Sequence, residues 1–346
     1  MDKHSTAIDI PSDLLLPTPV RQVLELTQGN AVLQALYAAA RLGIADLLAE
    51  GSRTCAELAE ASASNPDGLY RVLRLLTRFE VFAEPEPGRF ALSPAAETLR
   101  NRPGSLRDYV LYSGEEFYQA WGNFLQTLRM PDSAFQITYG MNRCDYLSRN
   151  PDKTKHFDAA TQVGADLYIP ALVAAHDFST LSTLVDIGKG DRQYLPAILQ
   201  RCPCLGGIWV EKPDLVESAR HRLARLGLAG RCEVVAGNPL SPPPAGADGY
   251  LISNVHRMEN GEVRRILDNC RAAMAAGGRV FLIERFITER SPWMLLGEDL
   301  GLNVQTTGRF RTLDEFQALL AAGGFRLRHL AAVDATCGVF EAEPIE

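Results

Sequence analysis

Residues 181–193 read Leu-Ser-Thr-Leu-Val-Asp-Ile-Gly-Lys-Gly-Asp-Arg-Gln. Leu184, Val185 and Ile187 make the short apolar run of a buried parallel strand. Gly188 and Gly190 follow at once, and the residues from Tyr194 to Leu199 read as the start of a helix. A strand, a tight glycine turn and a helix N-terminus together make a cradle for a nucleotide-like ligand, because backbone N–H groups approach a ligand closely where no Cβ intrudes. Only two glycines stand in this turn, with Arg192 in the place of a third, so the weight of the reading falls on what lies downstream.

Downstream, strands and helices alternate. A second strand over 205–210 ends at Glu211, about 20 residues past the first glycine, where a carboxylate can accept hydrogen bonds from both hydroxyls of a ribose. A third strand (232–235) leads into Gly237-Asn238, and a fourth (249–253) delivers Asn254, Val255 and His256 to its C-terminal end. A helix over 262–276 is closed by Gly277-Gly278, and a fifth strand (280–283) ends at Glu284. A helix over 316–322 and strands over 325–330 and 336–341 complete the chain. Ligands of open α/β sheets sit beyond the C-terminal strand ends, which is where Glu211, His256 and Glu284 all fall. The expected class is α/β, with a doubly wound, Rossmann-like sheet.

Upstream the pattern changes. Residues 1–17 are polar and broken by prolines, as in a loose arm, and 23–48 fit one or two amphipathic helices. Thr54 with Glu57 makes a capping box, and Asn65-Pro66-Asp67 opens a helix with Leu69, Val72, Leu73 and Leu76 on its apolar face. Two short strands, around Val81-Phe82 and over 90–92, flank a turn at 85–88. Helix, helix, hairpin is the order of a winged helix. Arg71, Arg74 and Arg78 lie on its would-be recognition helix, which leaves open a DNA-binding regulator beside a solvated face on a dimerisation module. Residues 105–178 read as all-helical, interrupted at Asn150-Pro151. Their aromatic-rich stripe, which includes Phe117 and Trp121, is either core or the wall of a pocket.

The 346 residues, 46% hydrophobic, suffice for two domains, and the net charge of −7 counts against binding driven by phosphate neutralisation. Seven scattered cysteines do not read as a disulfide framework, and Cys202-Pro-Cys204 lacks the spacing of common zinc and redox motifs. The first residues lack the apolar core of a signal peptide, and no run of 18 apolar residues occurs, so a cytoplasmic protein with no membrane partner is expected.

Taken in order, several stretches together resemble one family: 69–76, 120–125, 185–190, 255–267, 277–284, Asp299-Leu300 and 308–316. It is the class I S-adenosylmethionine-dependent small-molecule O-methyltransferases with an N-terminal winged-helix dimerisation domain. The resemblance implies a dimerisation domain over 1–104, a helical connector over 105–180 that contributes to the substrate pocket, and a Rossmann-like methyltransferase domain over 181–346. It makes His256 the general base and Glu284 the carboxylate that orients it. Asp186, Gly188, Gly190, Glu211, Asn238 and Asn254 would bind S-adenosylmethionine. Phe117, Trp121, Phe157, Thr161, Arg257, Asp299 and Asn303 would line the pocket of a small aromatic or polyketide-like secondary metabolite. No metal, no nucleic acid and a homodimer through the N-terminal domain are expected.

The chain also departs from the family pattern. Lys189 and Arg192 stand in the glycine turn, Asn238 stands for an Asp, and Arg257-Met258 replaces an Asp-Trp pair. Thr161 stands for a Met, and Phe310 for a second Glu beside the base. These changes leave open a relative that performs another chemistry (cyclisation, hydroxylation or decarboxylation), with or without S-adenosylmethionine bound.

Overall fold

In the computed structural model, residues 17–188 and 194–345 are described, with the side chains of 163–167 set aside. The arm expected at the N-terminus, apart from residue 17, and Lys189, Gly190 and Arg192 of the glycine turn lie outside these residues. The chain divides into two units, Met1–Glu115 and Glu116–Glu346.

In the first unit, helices Gly29–Arg41, Cys55–Ala61 and Pro66–Arg78 precede a hairpin of Phe82–Glu86 and Arg89–Leu92. The capping box forms as the residue types require: the Thr54 N–H donates to Glu57 Oε2 at 2.6 Å, and the Glu57 N–H to Thr54 Oγ1 at 3.3 Å. Asn65 Oδ1 accepts the Gly68 N–H at 3.0 Å, which starts the next helix. Gly88 turns the hairpin at φ +75°, a conformation open to glycine at little cost. Leu58, Leu69, Leu73, Leu76, Phe82 and Phe90 are fully buried in one core. Arg71, Arg74 and Arg78 are exposed, and Arg74 lies over the Tyr70 ring.

The second unit begins with short helices and a long one, Pro151–Ala175, which starts after the break expected at Asn150. Its sheet is built from β1 (Thr183–Asp186), β2 (Gly206–Glu211), β3 (Cys232–Ala236), β4 (Gly249–Ser253), β5 (Arg279–Ile287), β6 (Phe325–Asp334) and β7 (Cys337–Pro344). They lie in the order β6-β7-β5-β4-β1-β2-β3. The first five strands run parallel, and β6 and β7 form an antiparallel hairpin at one edge. A two-residue strand, Arg311–Thr312, pairs beside the end of β5. The order reverses at β1, so the C-terminal ends of β1, β2 and β4 meet at a topological switch point.

Side chains alternate between the two faces of the sheet, and each face has its own core. Leu184, Leu251, Phe281 and Ile283 pack with the helix Tyr194–Arg201 on one side. Val185, Tyr250, Ile252, Val280 and Leu282 pack with helices Asn260–Ala273 and Leu313–Ala322 on the other. This two-sided burial explains why the strands read as continuous apolar runs rather than alternating ones.

One titratable group is caught in the first of these cores. His176 packs its ring 4.7 Å from Phe178 and 5.3 Å from Phe281, with Glu341 Oε2 at 3.7 Å from Nε2. Burial pushes its pKa below the ordinary 6.5, with the Glu341 carboxylate acting in the opposite sense. The unfolded chain therefore binds the proton more readily than the folded one. The contribution of His176 to stability is present above pH 6.5 and is lost as the pH falls from there through the lower folded value. Melting temperatures measured from pH 8 to pH 5 should fall less steeply for His176→Gln than for the wild type. Parallel curves would contradict the assignment.

Candidate active site

The second unit gathers buried polar groups at the C-terminal ends of adjacent strands. Asp186 ends β1 at 4% exposure, Glu211 ends β2 at 7%, Ser253 ends β4 at 2%, and Asn254 follows at 1%. Buried polar groups persist where hydrogen bonds compensate them, so such a gathering marks a site.

Asn254 turns the chain at φ 62°, a left-handed conformation that Asn tolerates better than most residues. The turn sends Val255–Arg257 into one 3₁₀ turn and brings His256 against Glu284 on β5. There His256 Nδ1 lies 2.7 Å from Glu284 Oε2. The other oxygen, Oε1, accepts the Val255 N–H through a very short bond. With Glu284 ionised, Oε2 accepts the hydrogen carried on Nδ1, and Nε2 is then the ring nitrogen that would take up a proton. The two residues are 4% and 3% exposed, so the pair works in a medium that strengthens the interaction.

The 3₁₀ turn is clamped from behind. Arg311, 1% exposed, donates from Nη1 to the Val255 carbonyl at 2.9 Å and from Nη2 to the Met258 carbonyl at 2.8 Å. It also reaches Asn260 Oδ1 from Nε at 3.1 Å and from Nη2 at 2.8 Å. The Arg309 N–H donates to the His256 carbonyl at 2.8 Å. This approach explains Gly308: a Cβ there would collide with the His256 carbonyl oxygen and stand 2.9 Å from Arg257 Cα. Phe310 sets its ring 5.3 Å from the His256 ring, and its N–H donates to Asp299 Oδ1 at 2.6 Å. Where the family pattern has a second carboxylate beside the base, this chain has an aromatic wall.

Of the residues expected to hold a cofactor, Asp186, Gly188, Glu211 and Asn254 come together at the switch point. Asp186 Oδ1 accepts the Gly188 N–H at 2.9 Å, and a Cβ on Gly188 would collide with Ser253 Oγ. Glu211 Oε1 accepts the N–H of Lys212 at 2.8 Å. Asn238 is exposed in the loop after β3, where its Oδ1 accepts the Leu240 N–H at 2.9 Å. Gly190, with Lys189 and Arg192, lies outside the described residues. A buried carboxylate at the end of β2, able to accept from ribose hydroxyls, beside a close-packed glycine just after β1 is the arrangement that suits an adenosine, so the residues present fit S-adenosylmethionine.

The expected pocket residues separate into two sets. The Phe117 and Trp121 rings lie 5.8 Å apart, tilted by 50°, in an aromatic cluster with Phe124, and Phe117 approaches Gly301, where a Cβ would lie 3.2 Å from its Cζ. Phe157 lies under two guanidinium groups, those of Arg143 at 4.7 Å and Arg257 at 5.9 Å from the ring centroid. The Thr161 hydroxyl lies 3.1 Å from the Phe157 carbonyl and 2.9 Å from that of Asp158, so its proton stays within the helix. Asn303 is half-buried on the helix Trp293–Gln305, and Asp299 on the same helix holds Phe310 in place. Sequence reading missed Arg143, Gly308 and Arg311. The run 308–316 contains two of them, but only the folded geometry reveals what they touch. Among the described residues no cluster of His, Cys, Asp and Glu could hold a metal ion.

The family profile described as O-methyltransferase domain matches residues 119–326, and that described as O-methyltransferase dimerisation domain matches residues 24–102. The chain belongs to the O-methyltransferase family, whose methyl donor is S-adenosylmethionine. It is 36% identical to the phenazine O-methyltransferase PhzM of Lysobacter antibioticus over 326 residues, 93% of this chain and 96% of the relative. It is 34% identical to the phenazine-1-carboxylate N-methyltransferase of Pseudomonas aeruginosa over 315 residues, 90% and 93% of the two chains. Among solved structures, the O-methyltransferase NcsB1 from neocarzinostatin biosynthesis, in complex with S-adenosylhomocysteine and 1,4-dihydroxy-2-naphthoic acid, superposes with a TM-score of 0.77. That likeness has 28% identity and covers 91% of this chain and 96% of that one. All three are named as methyltransferases, which favours methyl transfer over the non-methylating alternative.

Proposed function

We propose that this chain methylates a hydroxyl group on a small aromatic secondary metabolite, with His256 as the general base. One observation carries the choice of oxygen: the buried His256–Glu284 pair, with Nδ1 at 2.7 Å from Oε2. A hydroxyl must shed its proton as it attacks carbon, and an imidazole held by a carboxylate is matched to that task near neutral pH. An aromatic nitrogen with a lone pair would not need the base.

When bound, S-adenosylmethionine supplies a methyl group on a cationic sulfur, which departs as a neutral thioether as the acceptor oxygen takes the methyl. The chain's own residues do the rest. His256 Nε2 receives the hydroxyl proton, and Glu284 stabilises the imidazolium that results. Arg311 and Arg309 hold the backbone on either side of the base, so that its position does not depend on the substrate. Asp186, Gly188, Glu211 and Asn254 would hold the cofactor. The aromatic rings of Phe117, Trp121 and Phe157, with Thr161, Arg257, Asp299 and Asn303, supply the surfaces on which a planar substrate would rest.

The dimerisation-domain match supports a homodimer through the N-terminal unit. The net charge of −7 supports a small molecule, rather than nucleic acid, as the partner. Among the described residues no helix is long and apolar enough to cross a membrane. The seven cysteines, none of them in a disulfide, suit a cytoplasm.

The test is transfer of labelled methyl groups from S-adenosylmethionine to a panel of naphthols and hydroxylated aromatic acids, with titration of S-adenosylhomocysteine into wild type and Glu211→Ala. An O-methyl product is expected, with at least about 10-fold weaker nucleoside binding in the variant, since a carboxylate hydrogen bond to a hydroxyl is worth about 1.5–3 kcal/mol. Methylation on nitrogen alone, or affinity that ignores Glu211, would overturn the corresponding part.

A further inference from the structure

Arg143 opens the helix Arg143–Arg149 and is 7% exposed. Its Nη1 donates to Gln305 Oε1 at 2.6 Å, its guanidinium lies over Phe157, and its Nε is buried with no hydrogen-bond partner. Gln305 is the only side chain that accepts a hydrogen bond from it among the described residues. A guanidinium does not discharge its proton, and burying one costs several kcal/mol unless an anion or a full set of acceptors compensates. Arg143 thus has the charge and the fork geometry of an anion site, with most of its donors uncommitted to the protein.

A second cation stands close by. The guanidinium of Arg257 lies 5.9 Å from the centroid of the same Phe157 ring, on the residue directly after the base. Gly308 holds that stretch of backbone close, and Phe157 is the floor shared by both guanidinium groups. The guanidinium whose Nε has no acceptor is therefore linked, through one aromatic ring, to the residue beside His256.

We infer that Arg143, assisted by Arg257, binds a carboxylate carried by the acceptor substrate, which makes the substrate class aromatic hydroxy acids rather than neutral phenols. This rests on the methyl-transfer reading above. A carboxylate could come from the substrate or from the amino-acid end of the cofactor, and the experiment separates the two.

The probes are 3-hydroxy-2-naphthoate and its carboxamide, titrated into the full chain in the presence of S-adenosylhomocysteine, with S-adenosylhomocysteine alone as a third arm. The wild type should bind the acid at least about 10-fold more tightly than the amide. Arg143→Met, which keeps the volume, should weaken acid binding about 10- to 100-fold and leave the amide and the nucleoside unchanged, as expected when one member of a buried charge pair is removed. Arg143→Lys, which keeps the charge but loses the fork, should retain part of the preference and stands in if the methionine variant does not fold. Equal affinity for acid and amide in the wild type, equal weakening of both in a folded variant, or a loss confined to S-adenosylhomocysteine would overturn the subsite. Methylation followed in parallel keeps the two questions apart. Acid-selective binding without methyl transfer removes the reaction and leaves the subsite, whereas equal methylation of acid and amide does the reverse.

Discussion

His256→Ala should lower kcat by about 10²–10⁴-fold while S-adenosylhomocysteine binds as it does to the wild type. The base contributes to the proton-transfer step, whereas the cofactor is assigned to residues on β1, β2 and the end of β4. Glu284→Gln is the sharper companion, because it keeps the shape and removes only the charge. A glutamine can still accept the Val255 N–H through its oxygen, but it then turns its amide N–H₂ toward His256 Nδ1, 2.7 Å away in the wild type. Nδ1 must then accept, the ring hydrogen moves to Nε2, and the nitrogen facing the substrate can no longer take up a proton. Comparable loss in the two variants is the expected result. Full turnover by His256→Ala would remove the histidine from the chemistry, and full turnover by Glu284→Gln would remove the tautomer argument.

The second large effect is on stability. Arg311→Met should destabilise the second unit by about 3–5 kcal/mol, measured by urea unfolding. The Met258 carbonyl and Asn260 Oδ1 depend on this guanidinium, and the Val255 carbonyl, which also accepts the Met258 N–H at 3.0 Å, loses one of its two donors. Leaving a buried acceptor unsatisfied costs about 1–3 kcal/mol, and methionine supplies none of the missing donors. Desolvation lowers the pKa of Arg311 from its ordinary value, yet the group stays charged throughout the accessible pH range, so the effect should not change between pH 6 and pH 9. The folded remainder of the variant should also turn over slowly, because the turn that carries His256 has lost the side chain that ties Val255 and Met258 to Asn260. A change within about 1 kcal/mol, a surface-like value, would show that water replaces the guanidinium.

Much of this was legible before the fold was known, and for identifiable reasons. A strand buried on both faces has to be apolar throughout, so β1, β4 and β5 announced themselves as runs. The ends of such runs then located Glu211, His256 and Glu284 at one edge of the sheet without any knowledge of their neighbours. Thr54 with Glu57, and Asn65 with Gly68, are local contacts between residues three apart, and local contacts are written in spacing.

The clamp and the anion site were not legible. Arg311 lies 56 positions from Val255, and Arg143 lies 162 from Gln305. No periodicity connects such residues, and an arginine that will be 1% exposed looks in sequence like any surface cation. Gly308 carried no turn signal, since what demands it is the His256 carbonyl from another part of the chain.

The sequence by itself determined the alternation of elements and put Glu211, His256 and Glu284 on the C-terminal side of the strands, because both follow from burial pattern, whereas the proposed roles of His256 and Glu284 came from the family resemblance. Only the tertiary structure decided which arginines became structural and which kept uncommitted donors beside an aromatic ring. That distinction depends on how many acceptors the fold brings within about 3 Å of each guanidinium, a property of packing between distant segments.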